Sequence, residues 1–298
     1  MKKTFLMLAL LFAVGAFSTT GFAQLKKRLA VSRFEDRSGT GYNHLGAGVA
    51  DMLATALIKS GKFVIIERQD LDKVLEEQHL GAEGVLTPET APKAGKVLGV
   101  ELIVVGSVTE FGTSERNIGG NVPMFGGSLS TKKSRAVVDL RLVNTTTGEV
   151  IAAETEEGSE STTGVSVRYE NIDFSTASSW EDTDLGKACR AAVNGCVQLI
   201  ADNMKKIPWS GKILKVNADG TVLMKPGSEG NVESGMKFDV FRAGEEVKDP
   251  DTGLSLGAEE TKVGTIKVIE DALKGKAAKA TVTDGAGFKA GDIVRARE

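Results

Sequence analysis

The sequence predicts an α/β domain followed by a small all-β barrel. Three observations lead there. Apolar residues at helical spacing alternate with short β-like runs over the first two thirds of the chain. After Pro208 and Trp209 the pattern changes to short β-like runs separated by Gly-rich turns. The exported chain, about 275 residues once a leader is removed, has room for two domains at the usual one per 100–200 residues.

The leader is residues 1–23. Lys2 and Lys3 precede an apolar run from Phe5 to Phe17, and small residues follow at Gly21 and Ala23, the pattern of a secretory signal peptide cut after Ala23. Gly15 and Ser18 keep the run short of the roughly 20 apolar residues of a spanning helix. No later segment has the length or apolarity to cross a membrane as a helix, so membrane contact would use strands or assembly.

Residues 28–34 form a β-like run leading into a turn-rich loop. Leu45, Val49, Met52, Leu53, Ala56 and Leu57 then mark a helix with one buried face, closed by Gly61. Residues 63–66 read as a buried strand. A second helix is expected from Asp70, which can cap it, and a third over 90–98, where Pro92 falls in the first turn. Residues 102–108 form a central strand, and 135–143 pair with 149–153 across the Asn144 to Gly148 turn. A long helix over 184–205 turns Leu185, Cys189, Val193, Cys196, Ile200 and Met204 inward. Strands alternating with helices argue for a sheet covered on at least one face.

Six β-like runs follow at 212–216, 221–224, 236–241, 262–269, 277–282 and 292–296, which suits a small barrel. Two stretches echo each other: residues 231–238 and 287–294 each place an apolar residue three before a turn glycine, Gly235 or Gly291, and start a strand after it.

Cys189 and Cys196 are the only cysteines. Seven helical positions separate them by about 10 Å, beyond disulfide reach, so buried packing is the expected role; pairing remains open should the segment not be helical. They lack the spacing and companions of a zinc site. Loss of Lys2 and Lys3 takes the formal charge from -3 to -5, which offers nothing to nucleic acid.

His44 and His79 lie far apart in sequence and read as surface or cap residues. No Gly-x-Ser-x-Gly pattern precedes a helix. Asp249-Pro250-Asp251-Thr252-Gly253 lacks the distal ligands of an EF-hand and reads as a hairpin turn. Gly39-Thr40-Gly41 lacks both a dinucleotide pattern and a P-loop lysine. The expectation is a protein without catalytic site, metal or cofactor.

Several stretches resemble one family in one order. Phe34-Glu35-Asp36-Arg37-Ser38, Ala54-Thr55-Ala56-Leu57, the run from Phe63 to Leu71, the run from Leu98 to Val108, Asp139 to Asn144 and Thr147-Gly148-Glu149-Val150 are similar to the CsgG-type curli assembly and transport component. The resemblance covers roughly 27–207 and implies an anticodon-binding-domain-like α/β fold, also found at the amino terminus of TolB-type translocation proteins. Residues 249–253, Leu256-Gly257, Val263 to Ile266 and Gly291 to Val294 resemble the C-terminal barrel of the flagellar assembly protein T family. The domains expected are thus 24–207, CsgG-like, and 208–298, a small barrel.

The family implies a homo-oligomeric ring on the outer membrane, with two hairpins per subunit in a shared barrel that exports unfolded fibre subunits. Its partners would be envelope or secreted fibre proteins. In that family the loop before the first helix narrows the pore, which makes Tyr42 and Asn43 the candidate site; an ordinary turn is the other reading. Gln24 follows the expected cleavage point, so the chain offers no cysteine for a lipid anchor and would sit in the periplasmic space, with outer-membrane association through assembly.

The hairpin candidates are 112–133 and 155–183. The first contains Pro123 and two Gly-Gly pairs and does not alternate. In the second, Val165, Val167 and Tyr169 alternate with polar residues, and its flank from Glu154 to Glu160 is acidic. The alternative function is a soluble periplasmic binding or scaffold module that docks onto another envelope complex without forming a pore.

Overall fold

The structure is a computed structural model and describes residues 24–66, 99–118, 129–163, 180–251 and 255–297. The expected leader and the helices expected from Asp70 and over 90–98 lie outside the described residues.

A six-stranded sheet comprises β1 (Lys27–Val31), β2 (Glu35–Asp36), β3 (Phe63–Ile66), β4 (Leu102–Ile118), β5 (Leu129–Asn144) and β6 (Val150–Thr163). Its order is β3-β1-β4-β5-β6, with β2 also on β4. β1 runs parallel to β3 and β4, whereas β4, β5 and β6 are antiparallel. The parallel pair follows from a helical crossover: α1 (Leu45–Lys59) joins the β1 end of the sheet to β3.

Helix α2 (Asp184–Met204) begins at Thr183, whose hydroxyl accepts from the Gly186 amide at 3.0 Å. Every residue expected on its inward face, from Leu185 to Met204, is buried. Both helices share one core with Leu102, Val104, Val108, Val138, Leu140 and Leu142, which alternate onto one face of the sheet. Ala30, Ile103, Val105, Val137 and Val143 take the opposite face and are buried too.

Three strands of the sheet are longer than the sequence suggested. β4 continues to Ile118 and β5 starts at Leu129, so the described ends of the 112–133 candidate are paired strand, Ile118 opposite Leu129. The acidic run from Glu154 is likewise strand, paired along β5 as far as Thr163 opposite Thr131. Main-chain ladder bonds need no apolar alternation, which is why pattern reading stopped short. Residues 119–128 and 164–179 of the two candidates lie outside the described residues.

β7 (Ser210–Val216), β8 (Val222–Lys225), β9 (Lys237–Lys248), β10 (Ser255–Ala272), β11 (Ala277–Gly285) and β12 (Ile293–Ala296) close in the order β10-β11-β8-β7-β12-β9. They enclose a second core of Trp209, Ile213, Val222, Met224, Phe238, Val240, Ile266, Val268 and Val294. The sequence echo is geometric. Gly235 (φ 94°) and Gly291 (φ 93°) occupy equivalent turns, closed by Met236 N–H to Glu233 O and Asp292 N–H to Lys289 O, each 3.2 Å. Val232 and Phe288, three residues before each glycine, pack on the barrel core. Asp249-Pro250-Asp251 leads out of β9 with the Asp251 amide donating to Asp249 Oδ1 at 2.9 Å, and Thr252 and Gly253 of the expected turn lie outside the described residues.

The cores meet at a polar junction. The Lys26 amide donates to Gly230 O (3.0 Å), Trp209 Nε1 to Lys26 O (3.2 Å) and Asn231 Nδ2 to Gln24 O (2.8 Å). Lys27 Nζ reaches the carbonyls of Met204 and Ile207 at the end of α2. At the centre, Glu101 accepts from the Arg28 amide (2.6 Å) and the Ser210 amide (3.3 Å).

Candidate functional site

The candidate loop, 38–44, hangs between β2 and α1. β2 pairs with β4, Glu35 opposite Ser107, which fixes one end of the loop. Asp36 Oδ1 accepts from the Ser38 amide (2.9 Å) and hydroxyl (2.6 Å), and the Ser38 and Thr40 hydroxyls stand 2.9 Å apart. His44, in the left-handed region at φ 60°, is the residue from which α1 starts, and no side chain caps the helix there. It is exposed, in keeping with a terminal surface histidine; His79 lies outside the described residues.

Tyr42 and Asn43 are adjacent in the chain but occupy different surroundings. Tyr42 is half-buried, its ring edge-on to Phe111 with centroids 5.9 Å apart, and Phe111 meets Trp180 in the same manner at 6.3 Å. The aromatic row ties the loop to β4 and to the segment before α2. Asn43 is exposed at the surface. The geometry thus separates a residue that holds the loop from one that is presented by it.

A second feature was not singled out in the sequence. On the sheet face opposite the helices, Glu35, Arg37, Ser107, Asp139, Arg141 and Thr155 line an open groove of about 360 Å³. Register assembles it: Glu35 faces Ser107, Ser107 faces Asp139, and Asp139 faces Thr155, whose hydroxyl donates to Asp139 Oδ1 at 2.6 Å. Arg37 pairs with Glu35 at 2.5 Å. Farther along that face Arg135 bonds Glu157 at 2.8 Å and also Glu110. The available signal was the alternation of Arg135, Asp139 and Arg141 with Ala136, Val138 and Leu140 in β5, which marks one face of an otherwise apolar strand as polar.

The cysteines are free and buried on the inward stripe of α2. Burial pushes the Cys189 thiol up to about 12 and moves Cys196 in the same direction. Neither is poised as a thiolate nucleophile. Among the described residues no group of three or more His, Cys, Asp or Glu side chains is placed to hold a metal, and no helix is long and apolar enough to cross a membrane.

The family model of the curli production assembly/transport component CsgG matches residues 12–229. None of the curated proteins matches the chain. Among solved structures, the hypothetical protein CT253 from Chlamydia trachomatis is similar at 16% identity and TM-score 0.37, covering 59% of this chain and 95% of that one. The LpoB C-terminal domain from Escherichia coli is similar at 19% identity and TM-score 0.32, covering 45% and 84%. The PelC dodecamer from Paraburkholderia phytofirmans is similar at 13% identity and TM-score 0.32, covering 60% and 87%.

Proposed function

Since the chain belongs to the family of the curli production assembly/transport component CsgG, we propose that it is a non-enzymatic envelope protein that forms an oligomeric ring and assists secretion or assembly of a surface structure. The observation that carries this reading is the family match over residues 12–229, which takes in the β1–β6 sheet, both helices and the first two barrel strands. In this reading the exported chain divides at 207/208 into a CsgG-like α/β domain of the anticodon-binding type and a barrel of the flagellar assembly protein T type. It occupies the periplasmic space and meets the outer membrane through assembly.

The ribbon of β4, β5 and β6 supports contact between copies. It is long and antiparallel, and among the described residues β6 has a strand partner on one side only, leaving an edge that can accept another strand. Asn43 would then line the opening that loop 38–44 narrows, while Tyr42 holds the loop in place from Phe111.

The scaffold reading, a soluble module that docks onto another envelope complex without a pore, is favoured by one specific observation. Thr113, Ser114 and Glu115 on β4 and Lys132 and Lys133 on β5 put polar groups on both faces of the ribbon, where a lipid-facing strand needs an apolar alternate face.

Extraction without detergent followed by light scattering on a sizing column tests the ring: an oligomer is expected, and a strictly monomeric protein removes ring and pore together. Protease accessibility of 112–133 and 155–183 in intact cells, compared with spheroplasts, then separates an inserted pore from a periplasmic scaffold.

A further inference from the structure

The barrel carries a projecting arm. β9 pairs with β12 over Phe238–Phe241 and β10 with β11 from Gly264 onward, so among the described residues 242–248 and 255–262 have only each other as strand partners. Two ion pairs brace the root: Arg242 to Asp292, bidentate at 2.9 and 2.7 Å, and Arg295 to Glu260 at 2.6 Å. Beyond the root, Val247 and Leu256 are 50% and 58% exposed. Residues 243–259 contain the acids Glu245, Glu246, Asp249, Asp251 and Glu259 against the single base Lys248. A bare two-stranded ribbon with apolar residues in water is marginal by itself and gains by being covered.

The complement lies across the barrel. In the closed order β8 is three strands from β9 in either direction, and β7 three strands from β10. On that wall Lys215 pairs with Leu223, and Leu223 with Lys279, in one cross-strand row, with Asp219 at 3.5 Å from Lys279. Leu214 and Val216 stand exposed on the same strand as Lys215.

We propose that the acidic, apolar arm of one copy docks on the basic, apolar β7–β8–β11 wall of the next, a head-to-tail contact between barrels. Contact through opposite walls is heterologous and propagates from copy to copy, giving a ring where the rotation between copies closes. The proposal deepens the ring reading and rests on it.

The test is charge exchange in the full exported chain, followed by sedimentation velocity. Glu245→Lys with Glu259→Lys on the arm, or Lys215→Glu with Lys279→Glu on the wall, are each expected to weaken self-association at least about tenfold, since like charges then meet across the contact. The chain carrying all four substitutions is expected to regain assembly. Either pair leaving assembly at the native level overturns the arm contact and leaves the ring reading standing, as does failure of the combined chain to recover. Wall substitutions that abolish binding to phosphatidylglycerol vesicles while assembly is unchanged also overturn it, assigning the wall to a membrane surface. A native chain that stays monomeric overturns both readings.

Discussion

Gly158 sits where β6 passes under α2. A Cβ there would lie 1.9 Å from Ala188 O and 2.6 Å from Ala192 N, so any side chain must push the helix off the sheet. The opposing atoms are helix backbone, already bonded along the helix, and cannot swing aside. Gly158→Ala is therefore expected to cost about 3 kcal/mol, read as a lower urea midpoint at unchanged slope. The position was not legible, since nothing in the acidic run around Gly158 points to a neighbour, and only the fold places it against α2. Cys189 and Cys196 were legible, because their seven-residue spacing put both on the inward helical stripe that the structure buries. With the Cys189 thiol pushed up to about 12, neither cysteine is expected to react with a thiol reagent at pH 8 in the native protein, and both should react on unfolding. Rapid native labelling would show that α2 leaves the sheet often.

At the scale of elements, apolar spacing carried the reading of α1, α2 and all six barrel runs, because each buries a face whose period shows in the sequence. It failed for the ends of β4, β5, β9 and β10. Those segments are held by ladder pairings such as Glu260 with Ala243 and Ser114 with Lys133, and no regular apolar alternation marks them. The groove was hidden for a related reason: its residues come from four strands, and only register brings them to one place. The paired turns show the opposite case, where a faint repeat predicted real geometry. Gly235 and Gly291 have no atoms within 4 Å of a would-be Cβ, so replacing either tests backbone conformation alone. At φ 94° and 93° an alanine is strained, and Gly235→Ala or Gly291→Ala should each cost about 1–2 kcal/mol. Equal costs in thermal or urea unfolding would establish the turns as equivalent; a neutral substitution would show that the turn relaxes freely.

For the whole molecule, the question is whether the two cores unfold together, and the junction around Glu101 decides it. Glu101 is 9% exposed, and its carboxylate receives the Arg28 amide from one core and the Ser210 amide from the other. Burial raises its pKa above the ordinary value, with the Arg28 and Ser210 amide bonds and the Arg28 charge acting in the other direction. A carboxyl raised on folding binds its proton more tightly in the folded chain. Its contribution is therefore fully present below the unfolded value, near 4.5, and is lost as pH rises through the folded one. Glu101→Gln removes the titration, so the stability difference between native and variant chains should favour the native chain most in acid and fall as pH climbs through that window. Glu101→Ala goes further, leaving the Arg28 and Ser210 amides without their acceptor at about 1–3 kcal/mol each. Of these two bonds the one from Ser210 joins the cores, and its loss spares the packing within them. Scanning calorimetry is thus expected to give one transition for the native chain and two for Glu101→Ala, the barrel separating from the α/β core. Two transitions in the native chain would mean that the junction orients the barrel without coupling its stability to the sheet.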